Sequence, residues 1–338
     1  MTTLLVGGTG HLGPGLIRLL TANGRGLRVL TRDPARAREI LGDGVELVAG
    51  DVCDPASLAA PLKGVTTVIS AFSGFGDLKG PGPRAIDRDG NIALVSAAQS
   101  ASVEHVVLLS VTQASPDHPM ELMRSKYAAE QALKASGLAW TIIRPTLYME
   151  TWLHTAADPL LETGRTRVFG RGDNPLNLVS AQDVAKFVAL ALMDPSLRGS
   201  TLEVGGPEDV SINQLLAMVE RVAGRSGRID HAPLPMLRLM SVLLRPFRPA
   251  LAGLIGAAFV MDTRDMSFDA AATTTRFPTI VPTLLGTVIQ QLYGSNAREN
   301  LEAAARQGAL AQEPISSPRR TSQLQGSEEA DLAAGFGS

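Results

Sequence analysis

Thr3-Leu4-Leu5-Val6-Gly7-Gly8-Thr9-Gly10-His11-Leu12-Gly13 is the stretch that decides the fold. A short apolar run passes into a glycine cluster, and the cluster into a helix-forming segment, Leu12–Asn23. Glycines at 8, 10 and 13 satisfy G-x-G-x-x-G, and those at 7, 10 and 13 satisfy G-x-x-G-x-x-G. Both spacings answer the same demands. The turn is tight, a side chain would bar a diphosphate, and the helix must pack close to the strand. The start of that helix then offers free N–H groups and a positive dipole end to an anion. No lysine follows the last glycine, so this is not a P-loop nucleotide-triphosphatase motif.

Working outward, continuous apolar runs recur at Thr3–Val6, Leu27–Thr31, Val45–Val48, Thr66–Ser70, His105–Leu109 and Ala139–Ile143. Runs without in/out alternation suit strands of a parallel sheet covered on both faces. Between them lie expected helices at Leu12–Asn23, Ala35–Leu41, Ala56–Leu62, Ala85–Ala101 and Met120–Ser136. Asp33-Pro34 and Asp54-Pro55 each supply an N-cap followed by proline in the first turn. Strand alternating with helix predicts an α/β fold: a Rossmann-type, doubly wound parallel sheet. After Arg144-Pro145 the pattern changes. Short strands (Thr166–Phe169, Leu178–Ser180, Thr201–Val204) mix with helices at Ala181–Met193 and Ile212–Ala223, and Pro233–Phe259 reads as two or more short helices. The expected organisation is a nucleotide-binding domain over 1–145 and a smaller α+β substrate-side lobe over 146–308. The chain is free to cross back to the sheet, and 309–338 is a disordered tail rich in Gln, Ser, Pro and Glu.

A strand end identifies the nucleotide. The second strand closes Leu30-Thr31-Arg32-Asp33-Pro34. An NAD(H) site places a carboxylate at that end for the ribose hydroxyls, whereas Thr31 and Arg32 stand here. Arg32 presents a planar fork that pairs with a 2′-phosphate, and Arg36 lies one helical turn on. This favours NADP(H), with NAD(H) as the second choice. In the competing reading Arg32 is a solvated surface residue and Asp33 takes the ribose, although Asp33 more simply caps the next helix. The third strand ends at Gly50-Asp51-Val52. Asp51 is a candidate acceptor for the adenine amino group, with Val52 against the ring, or else an ordinary strand-end turn residue. Ser70-Ala71-Phe72 ends the fourth strand, where Ser70 and Ala71 are small enough for a ribose to pass.

These residues resemble the short-chain dehydrogenase/reductase superfamily, and most closely its atypical NmrA-like and isoflavone-reductase-like branch. The resemblance is carried by Gly7 through Gly13, Arg32-Asp33-Pro34, Gly50-Asp51-Val52, Gly90-Asn91, Val106-Val107-Leu108-Leu109-Ser110, Lys126-Tyr127-Ala128-Ala129-Glu130, Thr141-Ile142-Ile143-Arg144-Pro145 and Val179-Ser180-Ala181-Gln182-Asp183-Val184-Ala185, and it spans about residues 1–295. It implies a Rossmann fold, a nicotinamide cofactor and an NAD(P)H-dependent reductase acting on a small substrate. The main branch pairs a catalytic tyrosine with a lysine four residues later. If Lys126 is that lysine, the tyrosine position holds Leu122, which has no proton to give. Tyr127 lies about 100° further round the helix and does not substitute. The resemblance therefore counts against a sugar epimerase and leaves Lys126 as the catalytic candidate: a ribose ligand and, once buried, a proton donor. The competing reading pairs Lys126 with Glu130 in a surface i,i+4 bridge. Ser110, at the end of the fifth strand, either bonds substrate or cofactor or caps the chain's exit. Pro145 is expected against the nicotinamide, and His11 on the solvent side of the glycine loop.

The rest of the chain bounds the function. It has 338 residues, 31 basic against 33 acidic side chains, and 4% aromatics. Neither a phosphate-backbone binder nor a base-stacking platform has this balance, so no nucleic-acid partner is expected. The single cysteine, Cys53, excludes an internal disulfide and is expected to be buried or inert. Five scattered histidines make no metal spacing with it, so no metal is expected. The opening residues lack a signal-peptide pattern, and the chain is expected to be cytoplasmic. Tyr148, Met149, Glu150 and Trp152 either line the substrate pocket or pack at the lobe junction. The apolar segment 233–261 covers a hydrophobic substrate such as a quinone, or serves as core or a face in a homo-oligomer. Contact with a membrane surface through Arg238, Arg245 and Arg248 is the least favoured reading. The function expected is NADP(H)-dependent reduction of a small apolar or conjugated, quinone- or enone-like substrate. Its rival is an NAD(P)(H)-binding redox sensor or assembly factor without turnover.

Overall fold

Strands with no polar face must be buried on both sides. In the computed structural model, which describes residues 2–294 apart from 23 and 25, the central ones are, while the edge strand Glu46–Ala49 stays partly exposed. β1 (Thr2–Val6) leads through the glycine loop to α1 (Gly13–Ala22), β2 (Gly26–Thr31), α2 (Pro34–Leu41) and β3 (Glu46–Ala49). Then come β4 (Val65–Ser70), α3 (Asn91–Ser100), β5 (His105–Leu109), α4 (Glu121–Ala135) and β6 (Ala139–Pro145). The second half holds β7 (Leu147–Tyr148), α5 (Met149–Trp152), α6 (Asp158–Thr163), β8 (Arg165–Phe169), β9 (Leu176–Val179), α7 (Ala181–Met193), β10 (Ser200–Val204) and β11 (Asp209–Val210). It ends with α8 (Ile212–Ala223), β12 (Arg228–Ala232), α9 (Leu234–Leu243), α10 (Pro249–Thr263), α11 (Ala271–Arg276) and α12 (Leu285–Tyr293). The expected tail, 309–338, lies outside the described residues.

The main sheet has seven parallel strands in the order β10-β6-β5-β4-β1-β2-β3. It is the doubly wound Rossmann arrangement, with a smaller α+β part after β6. The strand order reverses between β1 and β4, and crossovers leaving in opposite directions open a crevice at their carboxyl ends. Alternate residues of each strand feed two cores. Leu5, Val29, Ile69, Val107 and Ile143 pack with Leu16 and Leu20 of α1 and Val184 and Val188 of α7. Leu4, Val68, Val106 and Ile142 pack with Leu94 of α3 and Leu133 of α4. The second half contributes β10 and α7 to this layer and builds its own core from β8, β9, α8 and α12.

Three expected elements differ. The helix over Ala56–Leu62 shrinks to a 3₁₀ turn, Pro55–Leu58, because Pro61 can neither donate its amide nor sit behind a helical residue 60. The expected Leu178–Ser180 strand starts at Leu176 and stops before Ser180, whose hydroxyl caps α7 by accepting from Gln182 N at 3.1 Å. The long helix over Ala85–Ala101 is split. Arg84–Gly90 forms a π-helical turn, and α3 begins only at Asn91. There Gly90 lies so close to Val52 that a Cβ would sit 2.9 Å from its side chain.

A buried ionic cluster ties β10 to the sheet. Glu130 on α4 is fully buried. It accepts Arg144 Nε at 2.8 Å and a second guanidinium nitrogen at 2.7 Å, and Ser110 Oγ donates to the same carboxylate. Arg144 also reaches Glu203 on β10 at 3.0 Å. Its hydrogen bonds to Glu130 outweigh its desolvation and push its pKa further up, so it stays charged. Glu130→Ala would leave that charge half-buried with only the partly exposed Glu203 as partner, and Ser110 without its acceptor. We expect a loss of about 3–5 kcal/mol in urea unfolding, and a loss under about 1 kcal/mol would show that the cluster holds little.

Candidate functional site

Crowding decides which residue is tolerated at each position of the glycine loop. Gly7 has φ +95°, and a Cβ there would lie 2.5 Å from the Ala71 carbonyl oxygen. A Cβ on Gly13 would lie 1.8 Å from the Gly8 carbonyl oxygen, so the first turn of α1 rests directly on the loop backbone. On Gly10 the nearest atom would be Gly7 O at 3.6 Å, and the space beyond is the cleft. Packing thus demands glycine at 7 and 13 and leaves position 10 open to the cleft. Gly8 packs inward, where a Cβ would meet Val29 at 2.7 Å. Leu12 is buried core, while His11 and Thr9 are exposed.

The cleft, of about 510 Å³, runs from this loop along the ends of β2, β3 and β4. Gly7, Thr9 and Gly10 line one end. Arg32 and Arg36 line the other, both exposed and neither in an ion pair among the described residues. Asp33 is committed elsewhere: its Oδ1 accepts Arg36 N at 3.0 Å as the N-cap of α2. Asp51 and Val52 lie on the wall. One Asp51 oxygen accepts Cys53 N at 2.9 Å. Cys53 is exposed, not buried, and desolvation and then the Asp51 charge push its thiol up, which agrees with the inert alternative. Ala71 and Phe72 form the inner wall. Ser70 lies behind it, its hydroxyl 2.5 Å from Asn91 Oδ1, with both residues buried. These features fit a nicotinamide dinucleotide: an open main-chain cradle for the diphosphate and free cations beside the ribose end.

Behind Phe72 sits Lys126, 4% exposed. Its Nζ donates to Phe72 O and Leu109 O, each at 3.0 Å, and lies 3.1 Å from Asp87 Oδ1. The surface bridge to Glu130 does not form, because Glu130 belongs to Arg144 and Ser110. Two of its N–H groups donate to carbonyls, and Asp87 Oδ1 faces it as an ion pair without accepting a hydrogen bond. Ser110 likewise commits its one proton to Glu130. Both catalytic candidates thus stand at the strand ends, Ser110 with its one proton donated to Glu130 and Lys126 held by two carbonyls and a buried counter-charge. Pro145 is buried at the end of β6, its carbonyl accepting Thr112 N at 3.0 Å. Met149 is core, Tyr148 and Trp152 pack against cores, and both Glu150 carboxylate oxygens accept Ala181 N at 3.0 Å, capping α7.

Two residues escaped the sequence reading. Asp87, fully buried in the π turn, is the counter-charge of Lys126 and accepts Gly74 N at 2.9 Å. Its i,i+4 spacing to Asn91, whose side chain donates to Asp87 O, was the available signal. His154 stacks on His11 with centroids 5.3 Å apart and lies 2.7 Å from Asp158. Desolvation and then the His154 charge hold His11 below the usual imidazole pKa.

The model of the NAD(P)H-binding family matches residues 7–195. The chain belongs to that family. It is 30% identical over 245 residues to the photosystem II assembly factor Ycf39 of Trieres chinensis, covering 71% of this chain and 75% of the relative. It is 32% identical over 226 residues to the NAD(P)H azoreductase of Xenophilus azovorans, covering 67% and 75%. The structure of the NADPH-dependent quinone oxidoreductase QOR2 of Escherichia coli, complexed with NADPH, is similar with a TM-score of 0.68 at 21% identity. That match covers 86% of this chain and 100% of the other, and shows the shared fold.

The loop geometry separates two glycines. Gly10→Ala is expected to leave the melting temperature within a few degrees and to weaken NADPH binding tenfold or more in calorimetry. Gly7→Ala combines a positive φ with a backbone clash and is expected to lose at least about 1–3 kcal/mol of stability. Equal behaviour of the two would refute the division of roles.

Proposed function

We propose that the protein is an NADPH-dependent reductase of a small apolar or conjugated acceptor, quinone- or enone-like. The observation that carries the cofactor half is the free Arg32 and Arg36 at a cleft end where Asp33 is already spent as a cap. A carboxylate holding a helix amide is poorly placed to serve two ribose hydroxyls, whereas two unpaired guanidinium groups suit a 2′-phosphate. Gly7, Gly10 and the start of α1 would hold the diphosphate, and Asp51 and Val52 the adenine. Reductases named for azo and quinone substrates among the similar proteins support the acceptor class.

Bound there, the cofactor supplies hydride. The residues of this chain supply position. Lys126 fixes the carbonyl ends of β4 and β5 from behind, and its charge lies under the wall formed by Phe72. With Leu122 in the tyrosine position, Ser110 donating to Glu130 and Lys126 held by two carbonyls and Asp87, none of the three is a free acid. The acceptor receives two electrons and one hydrogen as hydride and becomes an anion, and water supplies the proton. A quinol anion is phenol-like, with a pKa of about 10, and water can complete its protonation. A simple ketone would give an alkoxide of far higher basicity that needs an acid at hand.

A second reading is favoured by the likeness to a protein named as an assembly factor: NAD(P)(H) binding without turnover. Three measurements separate these. Arg32→Ala should cut NADPH affinity about tenfold to a hundredfold, the worth of a charge-assisted bond, and leave NADH affinity unchanged. Equal affinities of the unaltered protein for the two would overturn the assignment. Quinones, enones and azo dyes should support NADPH oxidation, and binding without oxidation of any would favour the second reading. Lys126→Met strands Asp87 and is expected to destabilise the fold by about 3–5 kcal/mol. Asp87→Asn/Lys126→Met removes both charges and should recover stability while turnover stays reduced. Full turnover in the double variant would rule out a site role for Lys126.

A further inference from the structure

The hairpin of α9 and α10 buries only one side of α9. Leu237, Leu234, Met240 and Leu244 face inward, toward Ile255 and Leu251 of α10. The opposite side is no less apolar. Met236, Leu239, Val242 and Leu243 make a continuous stripe at helical spacing, and Leu239, Val242 and Leu243 are each 59% exposed or more. The stripe runs on to Phe247 at the hairpin tip, 83% exposed. Scattered single apolar residues are ordinary on a protein surface, but a stripe that fills one face of a helix is not.

Charge indicates what covers it. From Ala232 to Met261 the chain has no Asp, Glu, Lys or His, and three arginines: Arg238, Arg245 and Arg248. All three are exposed, and none is in an ion pair among the described residues. Arg245 and Arg248 bracket Phe247, and Arg238 lies on the border of the stripe. No helix among the described residues is long and apolar enough to cross a membrane. α9 has ten residues and α10 fifteen, against the about 20 a crossing requires.

We propose that this hairpin is a peripheral docking surface for an anionic lipid bilayer. Phe247 and the α9 stripe enter the headgroup boundary, and the arginines stay at the level of the lipid phosphates. An apolar face with a purely cationic border matches both layers of such a surface. A second copy of the chain would bring its own arginines against these three. The inference holds for either reading of the function, because it uses none of the cleft residues.

The full chain should co-sediment with vesicles of mixed phosphatidylglycerol and phosphatidylcholine, and only weakly with phosphatidylcholine alone. Raising the salt should release it. Arg238→Gln/Arg245→Gln/Arg248→Gln should lower partitioning about a hundredfold. Leu239→Ser/Leu243→Ser/Phe247→Ser should abolish it, with circular dichroism and NADPH affinity unchanged in both variants. Equal binding to neutral and anionic vesicles, or no binding to either, would overturn the proposal. So would a dimer in light scattering that the serine variant dissolves while vesicle binding is absent.

Discussion

The structure depends on a contact that has no room for a side chain. The first turn of α1 rests on the Gly8 carbonyl, and the loop at Gly7 rests on the carbonyl of Ala71. Those two contacts join β1, α1 and the end of β4, the three elements that form the switch point of the sheet. A single added methyl group at either place would push apart the elements that define the crevice. Nearly the same backbone that packs inward at 7 and 13 is left bare outward at 10. One short loop thereby serves packing at 7 and 13 while leaving its main chain open to the cleft at 10.

The inner end of the crevice is held by charge. Lys126 comes from α4, yet its three partners come from the ends of β4 and β5 and from the π turn before α3. A lysine buried to this extent needs an opposite charge and hydrogen bonds for its remaining protons, and it has both. The wide turn at Arg84–Gly90 is what brings Asp87 in. π turns inside helices recur at functional sites, and this one lets the carboxylate reach Lys126 while Gly90 closes on Val52 and Asn91 holds Ser70. The acid of the pair therefore comes from an irregularity in the backbone, on a different helix from the base.

That distinction explains what could be read in advance. The sheet and its helices were legible because continuous apolar runs and proline-started helices are local signals, and they placed β1 to β6 within a few residues. The glycine loop was legible because its demands fall on consecutive positions. Arg32 and Asp33 were legible for the same reason, one as a free cation and the other as a cap. The π turn has no composition of its own, so Asp87 stayed hidden inside an ordinary helical pattern. Glu130 was visible, but i,i+4 spacing on α4 pointed to Lys126, whereas the fold delivers Arg144 from β6 as a bidentate partner. The choice between the two cations is made across 14 residues and a turn, beyond the reach of a helical template. Pro61 carried its message plainly, and it defeats the expected helix after Asp54.

The same interactions bear on the chemistry proposed for the cleft. A site built to reduce simple ketones needs a proton held beside the carbonyl oxygen. Here the groups that could hold one are satisfied elsewhere: Ser110 by Glu130, Lys126 by two carbonyls and Asp87. Freeing either would leave a buried acceptor or charge without its partner, at a cost of several kcal/mol. A scaffold that spends its lysine on holding strand ends suits acceptors whose conjugation carries the negative charge until water arrives. In the proposed reaction the acceptor's electronic structure would carry the charge that an acid would otherwise neutralise, and the protein's part would be to hold hydride donor and acceptor together.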